Sequence, residues 1–431
     1  MVLTENQSGY IMIRAFIGIV LFAMCCFAPL IAIPCRAMVS VPVTDAIGSG
    51  PLVVANSSES KKRYQSLPYS WKQTPDYLNA RSHQLLFNQV VTIVREKGGE
   101  VCVEIPDVYY KTSLKSQAMP LKGWVMKSDI IEFSTLRSRN VDVSKIPHNY
   151  TGGAKQKTIV LTMPCRVSCH VRTYSAGTRF SVKDEQKDYF VAYVFNTESN
   201  VYDTIKFSKK VCMLNSPRTR QQKVDVFIDL LKSWSHRKEG FIPYVLGGGS
   251  WLRTYVKDSI VKHPLRDYDG QLVKGKGNGY YSYDREGGDG SIKSGFDCSS
   301  LIYTAAHVSG IPYYCKNTTT LVNQLRKLGD GDRLEVGDLI CFPGHVMIVS
   351  GVGKRLQIIQ SEGYSERMKE GKVYESDAQK LFYNICADSD LVSSYRKKES
   401  LICLNADGKT ETPIVNWSIY KLKSCWDIKS S

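Results

Sequence analysis

The sequence predicts a multidomain fold in which one or two small all-β modules precede an α+β unit, and three observations carry that expectation. Apolar and polar residues alternate along much of 82–214, a helical apolar period begins after Arg220, and short strands separated by glycine turns follow it. Period-two alternation marks half-buried strands, whereas apolar residues at i, i+3, i+4 and i+7 mark one face of a helix. The chain has 431 residues, enough for two to four compact units. With 43% hydrophobic and 23% charged residues it can bury a core, and nothing in that balance points to global disorder.

Lys and Arg number 57 against 41 Asp and Glu, a formal net charge of +16. Such an excess favours adsorption to anionic polymers: nucleic acid, acidic lipid or an anionic cell wall. The basic residues are scattered in doublets, and no zinc-finger, RNP-type or helix-turn-helix pattern accompanies them, so no specific nucleic-acid partner is expected.

Residues 1–37 read as an export signal or a single membrane anchor. After Arg14, nineteen residues from Ala15 to Ile33 carry no charge, and small residues at Cys35 and Ala37 suit cleavage after Ala37. The run also approaches the roughly 20 residues that span a bilayer, which keeps the uncleaved anchor open. The rest of the chain is therefore expected in the periplasm or cell envelope.

Thirteen cysteines are present, ten of them beyond this segment. They form no metal-ligand grammar. Cys165-Arg-Val-Ser-Cys169-His170 comes nearest, but its spacing differs from a zinc knuckle and no second pair follows. On a strand Cys165 and Cys169 would share a face. No metal or organic cofactor is expected.

Residues 38–81, rich in Ser, Pro, Asn, Lys and Tyr, read as a linker with one short helix. From Leu85 the text LLFNQVVTIVREKGGEVCVEI alternates around Lys97-Gly98-Gly99-Glu100, a hairpin signal. Leu121–Ile130 is a third strand, in which Gly123 permits a close approach and Trp124 supplies packing surface. HQLLFNQVVTIVREKGGEVCVEIPD with LKGWVMKSDI resembles a bacterial SH3 domain of the kind found beside cell-wall peptidases, over 82–133. Residues 155–214 are again β-rich; a second SH3-like barrel and an unrelated antiparallel module both remain open.

The α+β unit spans 222–431. Val224, Phe227, Ile228, Leu231 and Trp234 form one helical stripe. Phe241–Gly249 runs as a short strand into a glycine turn, and 252–294 is a polar, Gly- and Tyr-rich insertion without a period. Asp297-Cys298-Ser299-Ser300-Leu301 opens a helix that Gly310-Ile-Pro312 ends. Cys298 thus falls in the first turn, where unpaired N–H groups and the helix dipole stabilise a thiolate. A second helix is expected over Thr318–Leu328. Two apolar strands follow within 334–351, His345 opening the second, and Gln360 lies on the next strand. A cysteine on a helix start, a histidine on a strand and a polar orienter beside it make a Cys–His–X arrangement. His307, inside the cysteine's own helix, is the residue to avoid mistaking for the base.

PYVLGG, GFDCSSL, LEVGDLICF and GHVMIVSG, in this order, resemble the NlpC/P60 family of papain-like cell-wall peptidases across about 222–365. With the SH3-like region the likeness is strongest to γ-D-glutamyl-L-diamino acid endopeptidases. The resemblance implies that Cys298 is the nucleophile, His345 the general base and acid, and Gln360 the third member, a position more often His. It places Tyr244 in the substrate site near the oxyanion, with Leu246 where Trp is usual. Asp297 and Ser299 flank the nucleophile, and in relatives that require a free N-terminal L-Ala the acid binds that amine. The implied substrates are peptidoglycan stem peptides, cleaved through a thioester. A wall-binding module with a degenerate site, and a same-fold amidase, acyltransferase or transglutaminase, are the other classes. The sequence leaves disulfide pairing, oligomeric state and the role of 366–431 undecided.

Overall fold

The first module is a sheet of seven strands: β1 (Cys35–Val39), β2 (Val43–Ile47), β3 (Arg81–Leu86), β4 (Val90–Lys97), β5 (Glu100–Tyr110), β6 (Met119–Met126) and β7 (Ile130–Glu132), in the order β3-β2-β6-β5-β4-β1-β7. The computed structural model describes residues 35–48, 81–111, 115, 117–147, 156–238, 240–254, 261–264, 279–282, 293–363, 371–405, 408, 409 and 413–428. Residues 36–431 make one compact unit; the other, 1–35, lies outside the described residues except for Cys35, and the apolar N-terminal run with it. No helix among the described residues is long and apolar enough to cross a membrane.

The expected hairpin forms, with Lys97 paired to Glu100 and Gly98 at φ +61°, the left-handed conformation its turn requires. Gly123 on β6 passes so close to β2 that an added Cβ would lie 3.0 Å from that of Ala46. Two expectations need correction. The start of the 38–81 linker is instead β2, which pairs with β3 and, through Ile47, with Trp124 of β6. Asp45 in the middle of β2 hides its strand character, because its charge is buried against Arg81 rather than turned to water. The module also begins before residue 82, and cleavage after Ala37 would cut β1, whose Ala37 is fully buried opposite Glu132. The remainder of 38–81 lies outside the described residues.

The second β module is a five-stranded antiparallel sheet, ordered Val201–Ser208, Tyr189–Asn196, Arg179–Glu185, Thr158–Leu161, Cys212–Leu214. Phe180 and Phe207 stack at 4.8 Å in its core, with Tyr174 edge-on to Phe180. Cys169 sits in a 3₁₀ turn, Ser168–His170, so it does not share a strand face with Cys165.

The helix Arg220–Ser235 starts on a capping box between Thr219 and Gln222 and buries all five residues of its predicted stripe. The helix Cys298–Ser309 packs against it and against a five-stranded sheet ordered Lys372–Asp377, Gln357–Glu362, His345–Gly351, Leu339–Phe342, Ser418–Tyr420. The first and last of these strands come from the 366–431 segment and pair with Gln357–Glu362 and Leu339–Phe342. The helix expected over 318–328 stops at Gln324. In the insertion, Val261–Pro264 pairs with Gly279–Ser282, and most of 255–292 lies outside the described residues. One apolar core runs from β1 through Trp234 and Phe296 to Cys425 and joins the modules.

Candidate active site

Asp297 caps the cysteine helix, its Oδ1 accepting from the Ser300 N–H at 2.6 Å. Cys298 follows as the first helical residue, 8% exposed. Its Sγ lies 4.0 Å from the Gly344 carbonyl and in hydrogen-bond range of the Val346 N–H, so the peptide groups on both sides of His345 meet the thiol. The Ser299 N–H points at the same sulfur. The thiol is pushed up to about 12, by burial first and by the Asp297 carboxylate second; the Val346 N–H, Lys316 and the Ser299 N–H oppose the shift. Burial thus works against the thiolate that the helix start was expected to favour.

His345 is half-buried, its ring 5.3 Å from that of Phe342. Its Nε2 donates to Gln360 Oε1 at 2.7 Å. That bond fixes the tautomer, so a neutral ring carries its lone pair on Nδ1. Gln360 is fully buried and donates to the Tyr374 hydroxyl at 2.6 Å, and the hydroxyl donates to Glu362. Gln360 carries no charge, but this chain of hydrogen bonds ends on a carboxylate that can polarise it.

Asp297 and Ser299 are placed differently from Tyr244. Tyr244 is buried, and its hydroxyl is held well above its usual range by desolvation, then by the neighbouring Cys298 and Asp297. The Ser299 hydroxyl is turned back to Asp297 Oδ1 at 3.0 Å. Asp297 Oδ2 accepts from the Gly247 N–H at 3.1 Å and from the Lys316 ammonium at 2.9 Å. Lys316 is 2% exposed and also reaches Ser300 Oγ at 2.9 Å. Sequence reading passed over this lysine, which stands in a polar run, CKNTTT, that resembles a solvated loop. The only local signal is that it follows the buried Cys315 directly.

The N-terminal sheet positions it. Tyr109 of β5 donates to the Tyr314 carbonyl at 2.8 Å and accepts from the Lys316 N–H at 3.0 Å, and Asn317 donates to the Lys111 carbonyl at 2.8 Å. From the other side, Asp45 and Arg81 form a bidentate pair at 2.6 and 3.1 Å, and Arg81 also donates to the Leu246 carbonyl at 3.0 Å. Gln84 accepts from Gly249 N–H and Ser250 Oγ. The glycine turn is thus clamped: at Gly247, φ +67°, a Cβ would sit 2.0 Å from the Arg81 carbonyl oxygen.

His307 is apart from this site. It is buried and donates to the Tyr313 carbonyl at 2.6 Å, and burial holds it down to about 3. No group of three or more His, Cys, Asp or Glu side chains among the described residues could hold a metal ion. A groove of about 830 Å³ borders the site at Phe342 and Pro343, floored by Tyr395, Trp417 and Tyr420.

No family model and no curated protein matches the chain. Among solved structures it is similar to an NlpC/P60 family protein from Bacillus cereus ATCC 10987, at 16% identity and a TM-score of 0.49, over 79% of this chain and 94% of that one. It is also similar to NlpC2 and NlpC1 from Trichomonas vaginalis, each at 12% identity and a TM-score of 0.28, over 80% and 82% of this chain and 94% and 91% of theirs.

Proposed function

We propose that this protein is an exported cysteine peptidase that hydrolyses the γ-D-glutamyl-L-diamino acid bond of peptidoglycan stem peptides. The observation that carries the reading is the meeting of Cys298 with the peptide groups flanking His345, while Gln360 orients the imidazole. His345 Nδ1 takes the thiol proton as sulfur attacks the carbonyl. The N–H groups at the helix start face the developing oxyanion, and the imidazolium then protonates the leaving amine. Water, activated by the same imidazole, cleaves the thioester and restores the thiol. The uncharged run Ala15–Ile33 supports export.

The test is mass spectrometry of stem peptides incubated with the full chain under reducing conditions. Release of the diamino acid side, lowered by more than about a thousandfold in Cys298→Ala, is the expected result. A folded wild-type protein that releases nothing from any stem peptide would sink the proposal.

A further inference from the structure

Lys316 places a buried ammonium next to the nucleophile. Asp297 already receives four donors: the Ser300 N–H and the Ser299 hydroxyl on Oδ1, the Gly247 N–H and Lys316 Nζ on Oδ2, while the one proton of the Ser300 hydroxyl goes to the Gly248 carbonyl. A carboxylate offers about four lone-pair positions, so this one has no capacity left for a ligand. Nor can the lysine readily withdraw. Its backbone is pinned by Tyr109 and its neighbour Asn317 by Lys111, and its departure would leave a buried carboxylate unpaired.

We infer that Lys316 is a specificity-determining residue that supplies Asp297 with its cation from within the chain, so that the site favours acyl donors bearing no ammonium near the attacked carbonyl, N-acylated peptides above all. The inference rests on the peptidase reading and narrows its substrate class. A second ammonium brought to Asp297 meets a like charge in a water-poor region, where such juxtaposition is unfavourable; a neutral amide does not. A lysine that only stabilised the fold would leave the choice between two peptides untouched.

The experiment compares L-Ala-γ-D-Glu-diaminopimelate with its N-acetyl form, using the full chain. At pH 7 the N-acetyl peptide is expected to be cleaved with at least about tenfold higher kcat/KM. The gap should narrow towards pH 9, as the alanine amine, with an ordinary pKa of about 8, loses its charge. In Lys316→Met the ratio should fall towards one or reverse, because Asp297 is then open to the amine. If that variant does not fold, the wild-type ratio and its pH dependence decide. Equal or better cleavage of the free-amine peptide at pH 7 overturns this inference alone. Cleavage of neither peptide, with Cys298 still open to alkylation, overturns the peptidase reading and the inference with it.

Discussion

Asp45–Arg81 and Asp297–Lys316 are both buried ion pairs, and they grip the same glycine turn from opposite sides. Arg81 uses its planar fork to hold Asp45 twice and still reaches the Leu246 carbonyl, so its charge is spent on joining the N-terminal sheet to the turn. Lys316 is a compact charge that holds Asp297 and Ser300 beside the thiol, which feels its field. The first pair is architecture and the second sets the electrostatics of the site, although both cations are supplied or held by the β module that precedes the α+β unit.

Arg81→Met gives the largest expected effect on stability. Removing one partner of a buried pair typically costs about 3–5 kcal/mol, read as a lower thermal or urea midpoint, with the preference between acetylated and free peptides unchanged. A shift in that preference would erase the distinction between the pairs. Gly247→Ala follows: a Cβ at φ +67° facing the Arg81 carbonyl should cost about 2–3 kcal/mol, and an unchanged urea midpoint would show that the turn is not clamped.

Acid should weaken the region between the two pairs. His83 on β3 is held well below its usual range by burial, then by Lys316 and His307, and His307 is held down to about 3, chiefly by burial. Both are held below an unfolded histidine, which takes a proton below about 6.5, so their contribution is present above that pH and is lost as pH falls through it, for His307 down to about 3. The loss steepens below 6.5 towards a limit of about 1.4 kcal/mol per pH unit for each histidine. Urea midpoints that hold level from pH 7 to pH 5 would contradict this burial.

Tyr374→Phe gives the smallest effect. It removes the hydroxyl between Gln360 and Glu362, and about 1 kcal/mol of stability or a fivefold drop in kcat is expected. Full activity would mean that Gln360 orients His345 without help from the carboxylate.

The elements that carry the candidate site residues were legible because each rests on a local signal. Asp297 reads as a cap, Cys298 as the first helical residue, His345 as the opening of an apolar strand and Gln360 as a residue of the next. The hairpin at Gly98-Gly99 was readable for the same reason, since turn chemistry and alternation are properties of a few adjacent residues. β2 was not, because a buried Asp45 breaks the pattern that a strand normally writes, and its partner Arg81 lies 36 residues away.

By itself the sequence determined the order of modules, the helix that carries the cysteine and the strands that carry histidine and glutamine, all set by short-range period and capping. Only the tertiary structure decided that Lys316 neutralises Asp297 and that burial works against the thiolate. Both depend on desolvation and on contacts between distant segments, such as β5 against Tyr314–Asn317, and a group's charge state follows from everything packed around it rather than from its neighbours in the chain.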